Sequence, residues 1–465
     1  MPITSTIALT QPIRIAFDAR QPRYRAGLFL AYPGLFVLMA GDAVRYSIGW
    51  LGWGIVLGLG IIATIVYLIA FDAKSTIKRL PEPLVLLLSL MGLSLIWSQY
   101  RPQTLLSFSL QIGSVLFALF LANQFGWRQL LNVLSNTVRF ILVTSLLFEI
   151  YAAIVGSVEP IFPNYEGEPP APAYLWSQGN LFEGERIQGI VGNANLLAFV
   201  AVLGLLLFLI EFIVTAKTKL IPAASFALAL VMALLSQSAG MFVATLLVSF
   251  AAAVAIVAEG KPSDIRHKVY ARSLLILAAI ASLAAVFHVQ LFDLLGRSPD
   301  ASGRFDIWQK VFALVIEKPI EGWGWIGYWI PGVEPWEGLI EINGVPMYQA
   351  HNALLDVWVQ LGIIGLVLML WLLLQSFVRL WRIAVRHTSP LYLYPLFIFL
   401  VIAAQSLTES RLLIEISWVL LVLVSTKARE GFSDLEPMGT STKLTKLGRF
   451  FTRSAKKLRR LASKV

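Results

Sequence analysis

HNALLDVWVQLGIIGLVLMLWLLLQSF, residues 351–377, decides the solvent in which this chain folds. After His351-Asn352 the stretch carries one charged side chain, Asp356, in a run long enough to cross a bilayer, which takes about 20 apolar residues. Similar runs lie near 26–41, 46–71, 84–97, 105–126, 130–155, 194–215, 220–236, 239–258, 273–291, 352–376, 391–407 and 412–425. They predict an all-α integral membrane protein of about twelve transmembrane helices, or eleven if the first, broken by Pro33-Gly34, does not span. Composition agrees: 57% of the 465 residues are hydrophobic, 14% are charged and the mean hydropathy is +0.75. A soluble domain carries about 25% charged residues, so most of this surface must face lipid. Cysteine is absent, which excludes disulfides and thiolate metal sites. The first 25 residues are polar and basic and lack a signal-peptide apolar run, so the first hydrophobic stretch is read as a retained span.

Positive charge sets the expected orientation. With the N-terminus inside, 28 of the 37 Lys and Arg residues fall on the cytoplasmic side and eight outside, with Arg139 alone inside a span. Without the C-terminal tail the balance is 17 to eight, in the same direction. Both termini are therefore expected to be cytoplasmic. The chain divides into a basic N-terminus (1–25), a first bundle of about five spans (26–155), an extracytoplasmic loop (156–193), spans six to nine (194–291), a large extracytoplasmic loop (292–351), spans ten to twelve (352–426) and a cytoplasmic tail (427–465).

The two long loops share one face, whereas the opposite connections are short and basic, and function concentrates in elaborated loops. The first is acidic and proline-rich, with Glu159, Glu166, Glu168, Glu183 and Glu185 before Arg186. The second carries Trp308, Trp323, Trp325, Trp329 and Trp336. Within it, residues 305–318 place Phe305, Trp308, Phe312 and Val315 at helical spacing. Such a helix lies flat at the membrane surface or packs on the bundle; either brings Arg304 to the interface. In the tail, Leu444, Leu447, Phe451, Leu458, Leu461 and Val465 share one face with basic residues on the rest, as in a helix bound to anionic lipid. A solvated tail is the alternative, and nucleic-acid binding finds no reader domain.

GWGWIG, residues 322–327, fits G-x-G-x-x-G, but a dinucleotide site needs a preceding strand and a following helix, so it is read as a tight glycine turn. No P-loop, H-E-x-x-H or D-x-D occurs in the outside loops, and no metal site is expected. Of the four histidines, His267 and His387 fall in cytoplasmic loops and His288 in a span. His351 ends the second loop where the tenth span begins, and histidine exchanges a proton near neutral pH.

His351-Asn352, nine residues, then Gly362-Ile363-Ile364-Gly365 resembles the H-N-x9-G-x-x-G signature of the O-antigen ligase and polymerase superfamily of bacterial membrane glycosyltransferases. GRFDIWQKVFALVIEKPIEGWGWIGY (303–328) resembles its R-x3-W and P-x-x-G-x-G. ERIQGIVGNANLLA (185–198) resembles R-x-x-G-x3-N-P-N-L, and SLTES (406–410) resembles a late polar patch. The resemblance runs in order from 186 to 410. Two departures stand out: Ala194 replaces the proline of N-P-N, and Ala239 follows Ser238 where the family often has arginine.

The resemblance implies a GT-C-like helical fold in the bacterial cytoplasmic (inner) membrane, with the active site on the extracytoplasmic face. It implies transfer of a glycan from an undecaprenyl-diphosphate donor to a glycan or glycolipid acceptor, without cofactor or metal and with inversion. His351 would be the base, against a purely orienting hydrogen bond. Arg304 and Arg186 would hold the diphosphate, guanidinium being permanently charged and bidentate. The alternatives are salt bridges of Arg304 with Asp306 and of Arg186 with Glu183 or Glu185. Asn352 is expected to cap the tenth span rather than touch substrate. Gly362 and Gly365 would let helices or a lipid tail approach closely. Glu409 and Arg411 form a candidate ion pair closing the site. Arg139, costly at membrane depth, would snorkel to the cytoplasmic side. Two other readings stay open: a transporter of a small anion such as bicarbonate, and an inactive scaffold of envelope assembly.

Overall fold

The computed structural model describes residues 22–71, 78–163, 172–215, 218–287, 290, 303–342, 345–387 and 389–430. The expected basic tail helix beyond Glu430, the first 21 residues, His288, Glu166 and Glu168 lie outside the described residues. Each apolar run falls on a helix, the conformation that satisfies every backbone donor and acceptor within its own segment. In chain order they are α1 (Pro22–Met39), α2 (Gly41–Ala70), α3 (Glu82–Leu93), α4 (Arg101–Gln124), α5 (Trp127–Val155), α6 (Ala194–Val214) and α7 (Leu220–Leu235). There follow α8 (Ala239–Ala258), α9 (Ser263–Val286), α10 (Arg304–Glu317), α11 (Ala353–Arg386), α12 (Tyr394–Gln405) and α13 (Glu415–Glu430). A two-stranded ribbon, β1 (Glu341–Ile342) and β2 (Val345–Pro346), decorates the loop before α11. Seven helices, α2, α4, α5, α6, α8, α9 and α11, are long and apolar enough to cross a membrane by length and composition.

The bundle centres on α13, where every side chain from Trp418 to Val424 is at most 1% exposed, packed by α1, α4, α11 and α12. The perimeter is the reverse. Leu51, Leu59 and Ile69 on α2 and Leu274, Leu275 and Leu283 on α9 are all more than half exposed. Water would not tolerate so much apolar surface; lipid chains do. Arg139, expected to snorkel, is paired within the protein. Its Nη2 pairs with Glu211 at 2.7 Å, its Nε donates to the Ser225 hydroxyl at 2.7 Å, and the guanidinium lies over the Phe208 ring. Partners on α6 and α7 neutralise and hydrogen-bond the charge where it stands.

The loop between α9 and α11 has its own core. Trp329 and Trp336 stack at 5.1 Å, and Trp323, Ile326, Ile340 and Tyr100 pack around them. The tryptophans are therefore mostly buried in protein, not arrayed at a lipid surface. Helix α10 packs on this core through Ile307, Val311, Leu314 and Val315, leaving Phe305, Phe312 and Ile316 exposed. Of the two expectations for 305–318, packing on the bundle holds; of the face read by spacing, Val315 is buried and Trp308 packs against the core, whereas Phe305 and Phe312 point outward. Both faces are apolar, one packed on the tryptophan core and one exposed.

Helix α11 is broken at Gly362, with φ 65° and ψ −172°. The break exposes backbone groups, and the 319–324 loop satisfies them. Ile363 N–H donates to the Pro319 carbonyl at 2.9 Å, Trp323 N–H to Val359 at 3.0 Å and Gly324 N–H to Gln360 at 2.8 Å. The Gln360 amide then locks the turn, accepting from Ile326 and Gly327 N–H and donating to the Gly327 carbonyl. GWGWIG is thus a glycine turn, as read, with Gly322, Gly324 and Gly327 all at positive φ. The expectation for Gly362 needs correction. It admits the chain's own backbone, Ile320 and Glu321, rather than a neighbouring helix or a lipid tail. A Cβ on Gly365 would meet Leu361 of the same helix, so it too serves the turn around the break.

Candidate active site

Arg186 is positioned from below by a buried carboxylate. Glu149, fully buried on α5, accepts from Gln188 N–H at 3.0 Å, Gly189 N–H at 2.6 Å and the Ser177 hydroxyl at 2.9 Å. Gly189 has φ 61°, and a Cβ there would come within 2.7 Å of the Ser145 hydroxyl. The glycine of R-x-x-G is therefore what lets the loop press onto α5. Fixed in this way, Arg186 donates from Nε to the Ser236 carbonyl at 3.1 Å and from Nη2 to Asn195 Oδ1 at 2.9 Å. Ser238 donates its hydroxyl to the same Asn195 oxygen at 3.0 Å. The Arg186 guanidinium thus sits beside the turn where Ala239 replaces the family's arginine.

Asn193 caps α6, its Oδ1 accepting from Asn195 and Leu196 N–H at 2.9 and 3.2 Å. That cap needs no proline at 194, so the first departure from the family pattern is structurally harmless. Asn352 caps α11 likewise, accepting from Leu354 and Leu355 N–H at 3.0 and 3.1 Å, as expected.

Glu409 is where the loops meet. Its Oε2 lies 3.0 Å from His351 Nδ1 and accepts from Gln349 Nε2 at 3.2 Å. Its Oε1 accepts from Asn195 Nδ2 at 3.1 Å and faces Arg304 Nη2 at 3.3 Å. One carboxylate therefore gathers His351, Arg304 and, through Asn195, Arg186. Burial works to raise the Glu409 carboxyl, but the His351 hydrogen bond and the charges of His351, Arg304 and Arg411 bring it below the ordinary carboxylate range. An ionised carboxylate only accepts, so Nδ1 of a neutral His351 must carry the proton and Nε2 the lone pair. Arg304 keeps donors in reserve, since its buried Nε finds no acceptor among the described residues.

Two candidate ion pairs are replaced at this point. Arg304 pairs with Glu409, not Asp306, and Glu409 does not pair with Arg411. Arg411 pairs instead with Glu415 at 2.9 Å and lies over the Tyr328 ring at 5.7 Å. Glu415 continues to Arg45 at 2.8 Å, and Arg45 to Asp42 at 2.6 Å. Burial pushes the Tyr328 hydroxyl up, against the pull of Arg411. Asn195, Gln349, Tyr328 and this ion-pair chain were not singled out by sequence; only the polar context of QAHN and NAN hinted at the first two.

His351 has φ 50°, Gln237 47° and Glu415 51°, the non-glycine residues with left-handed backbone among those described. One is the candidate base, one lies between Ser236 and Ser238 beside Arg186, and one holds Arg411. Strain of this kind persists only where the surroundings over-determine it, and it clusters at functional sites. His351 is held on both sides. Gln349 accepts from Ser410 N–H at 3.0 Å through its Oε1, and Asp356 accepts from Ala350 N–H at 2.9 Å and from the Ser410 hydroxyl. A small cavity of about 90 Å³ opens among Asn195, Tyr328, Gln349, His351, Glu409 and Arg411.

The Glu409 junction makes a pH-dependent contribution. Its folded carboxyl lies below the ordinary range, so its stabilisation is present above that range and fades as pH falls through the folded value. Glu409→Gln, which leaves Arg304 facing a neutral amide, is expected to cost about 3 kcal/mol at neutral pH. Thermal unfolding of the two proteins should differ by a constant gap above about pH 5 and converge as the pH falls below about 4; a gap that stays constant down to about pH 2 would contradict the ionised junction.

The model of the family described as O-Antigen ligase matches residues 224–370, from α7 through the break in α11. That segment holds Arg304, His351, Asn352, Gly362 and Gly365, whereas Arg186, Asn195, Glu409 and Arg411 lie outside it. The chain is also similar to the exopolysaccharide production protein ExoQ of Rhizobium meliloti (strain 1021), 28% identical over 104 residues. That match spans 22% of this chain and 24% of ExoQ, about a quarter of the relative's length. The family resemblance carried by the motifs is thus met by an independent comparison: residues 224–370 of this multi-pass membrane protein match the O-antigen ligase family.

Proposed function

We propose that the protein transfers a glycan from an undecaprenyl-diphosphate carrier to an acceptor hydroxyl at the extracytoplasmic membrane face. The observation that carries this reading is the Glu409 junction, which sets one histidine against arginines from separate loops. His351 Nε2 takes the acceptor O–H proton as that oxygen bonds to the anomeric carbon. The bond from the anomeric carbon to the diphosphate oxygen breaks on the opposite face, so the configuration inverts. Arg304, with Arg186 and Arg411 nearby, takes up the charge developing on the leaving diphosphate, a role that preorganised guanidinium groups fill without a metal. Glu409 fixes the histidine tautomer and ring. The cavity is small beside ligand clefts of about 300–1,000 Å³, so only the reacting oxygens enter it and the glycan lies across its mouth.

The test is transfer by purified full-length protein from an undecaprenyl-diphosphate-linked oligosaccharide to candidate acceptors, with the anomeric configuration of the product read by NMR. Inversion without added divalent metal is expected; retention would overturn the single-displacement mechanism. Arg304→Lys keeps the charge and removes the fork. A fall of about 10–100-fold in transfer is expected, from the loss of about 1.4–2.8 kcal/mol of charge-assisted hydrogen bonding. Unchanged kinetics would remove Arg304 from the diphosphate site.

A further inference from the structure

At the other end of α11 lies a larger cavity, of about 440 Å³, between α11 and α9. It is far from the Glu409 junction: Arg382 stands 20 residues beyond Gly362 along α11, roughly 30 Å at 1.5 Å per residue. The turn leading into α9 is tied to α11 at this end by the Gly260 N–H, which donates to the Val385 carbonyl at 3.3 Å. Arg266 and His267 come from α9, and Arg382 and Arg386 from α11. Among the described residues no carboxylate lines the cavity; Glu259 and Asp264, the nearest in sequence, are not among its walls. None of the three arginine side chains forms a salt bridge or hydrogen bond among the described residues. Concentrated positive charge that no described residue compensates calls for an anion.

The floor identifies the anion further. Trp381 Nε1 donates to the Tyr270 hydroxyl at 3.1 Å. Having accepted there, that hydroxyl keeps its own proton for a phosphate oxygen. The cavity also opens onto apolar surface. Toward the membrane interior, Leu274 on α9 is 66% exposed and Leu374 on α11 is 63% exposed, on the same faces as Tyr270 and Trp381. A basic pocket between helices at the membrane surface, continuous with exposed leucine, suits a charged head joined to acyl chains. We infer that this cavity binds the phosphodiester headgroup of an anionic membrane phospholipid, whose chains lie along Leu274 and Leu374. The site lies apart from the transfer chemistry and does not depend on it.

Native mass spectrometry of the full-length protein in detergent tests this, titrated with phosphatidylglycerol, phosphatidylcholine or inorganic phosphate. Phosphatidylglycerol is expected to bind at least about tenfold more tightly than phosphatidylcholine. Arg266→Gln, Arg382→Gln and Arg386→Gln should each weaken it about fivefold, the contribution of one basic group near a membrane surface. The exposed Arg128→Gln, on α5, should leave it unchanged. Equal affinity for the two lipids, or triple-variant affinity within twofold of the parent, would overturn the site. Displacement of the lipid by an equal concentration of inorganic phosphate would overturn its assignment to a lipid. If the triple variant does not purify, the single variants give the same reading.

Discussion

His351→Ala is expected to lower glycan transfer by at least about 10²–10⁴-fold, the contribution of a positioned general base, while the protein still inserts and purifies as a monodisperse species. The fold should survive because Glu409 retains Asn195, Gln349 and Arg304 when the imidazole is lost. The Asn352 cap and the Asp356 contacts to Ala350 and Ser410 are likewise untouched. Alanine, however, fits poorly at φ 50°, so His351→Asn is the sharper variant. Asparagine tolerates the left-handed region, and its amide can donate to Glu409, but it has no lone pair able to take a proton near neutral pH. If catalysis needs the base, both variants lose transfer equally. If His351 only orients Glu409, the asparagine variant recovers most of the activity. Full transfer by His351→Asn would leave the histidine a structural role and move the base elsewhere.

The helical membrane architecture was legible because run length and hydropathy are local quantities, each span carrying its own evidence. What escaped sequence reading depends on partners far along the chain. The Glu409 carboxylate meets His351 across 58 residues and Asn195 across 214, so no window contains the pair. Glu409 was visible as a polar residue in SLTES, and its most natural partner by proximity was Arg411, two residues on. The fold instead turns Arg411 toward Glu415, whose left-handed backbone no pattern announces. The missing arginine at Ala239 shows the opposite case. Arg186, read from sequence as a diphosphate ligand, sits beside Ser236 and Ser238. What anchors it there, Glu149 in the middle of an apolar helix, gave no signal beyond being an isolated charge among hydrophobic residues. For α10 the periodicity identified the helix but only half of its inward face, Trp308 and Val315, because Phe305, Phe312 and Ile316 make the outward side apolar as well.

The same distance explains why Gly362 was read as a packing glycine, and it sets the largest expected effect on stability. Glycine in a span is common and signals little until its φ and its neighbours are known. At φ 65° and ψ −172° the backbone occupies a region that is essentially glycine-only. A Cβ built there falls 1.8 Å from the Ile320 carbonyl oxygen and 2.7 Å from the Glu321 nitrogen. These are backbone atoms and cannot rotate away as a side chain would. Gly362→Ala must therefore either straighten α11 or lift the 319–324 loop. Either movement breaks the bonds from Ile363 to Pro319, Trp323 to Val359 and Gly324 to Gln360. The loop follows directly from the C-terminal end of α10, whose N-terminal end carries Arg304. The joint at Gly362 consequently bears on the site although it touches no substrate. Gly362→Ala is expected to destabilise by about 4 kcal/mol or more and to appear as poor membrane yield and a lowered unfolding midpoint. Gly58→Ala, on α2 where a Cβ meets nothing within 4 Å, is the matched control and should be neutral or slightly stabilising. A Gly362→Ala protein with the parent's melting temperature and yield would mean that the loop does not insert into the broken helix, and α11 would then be a continuous span.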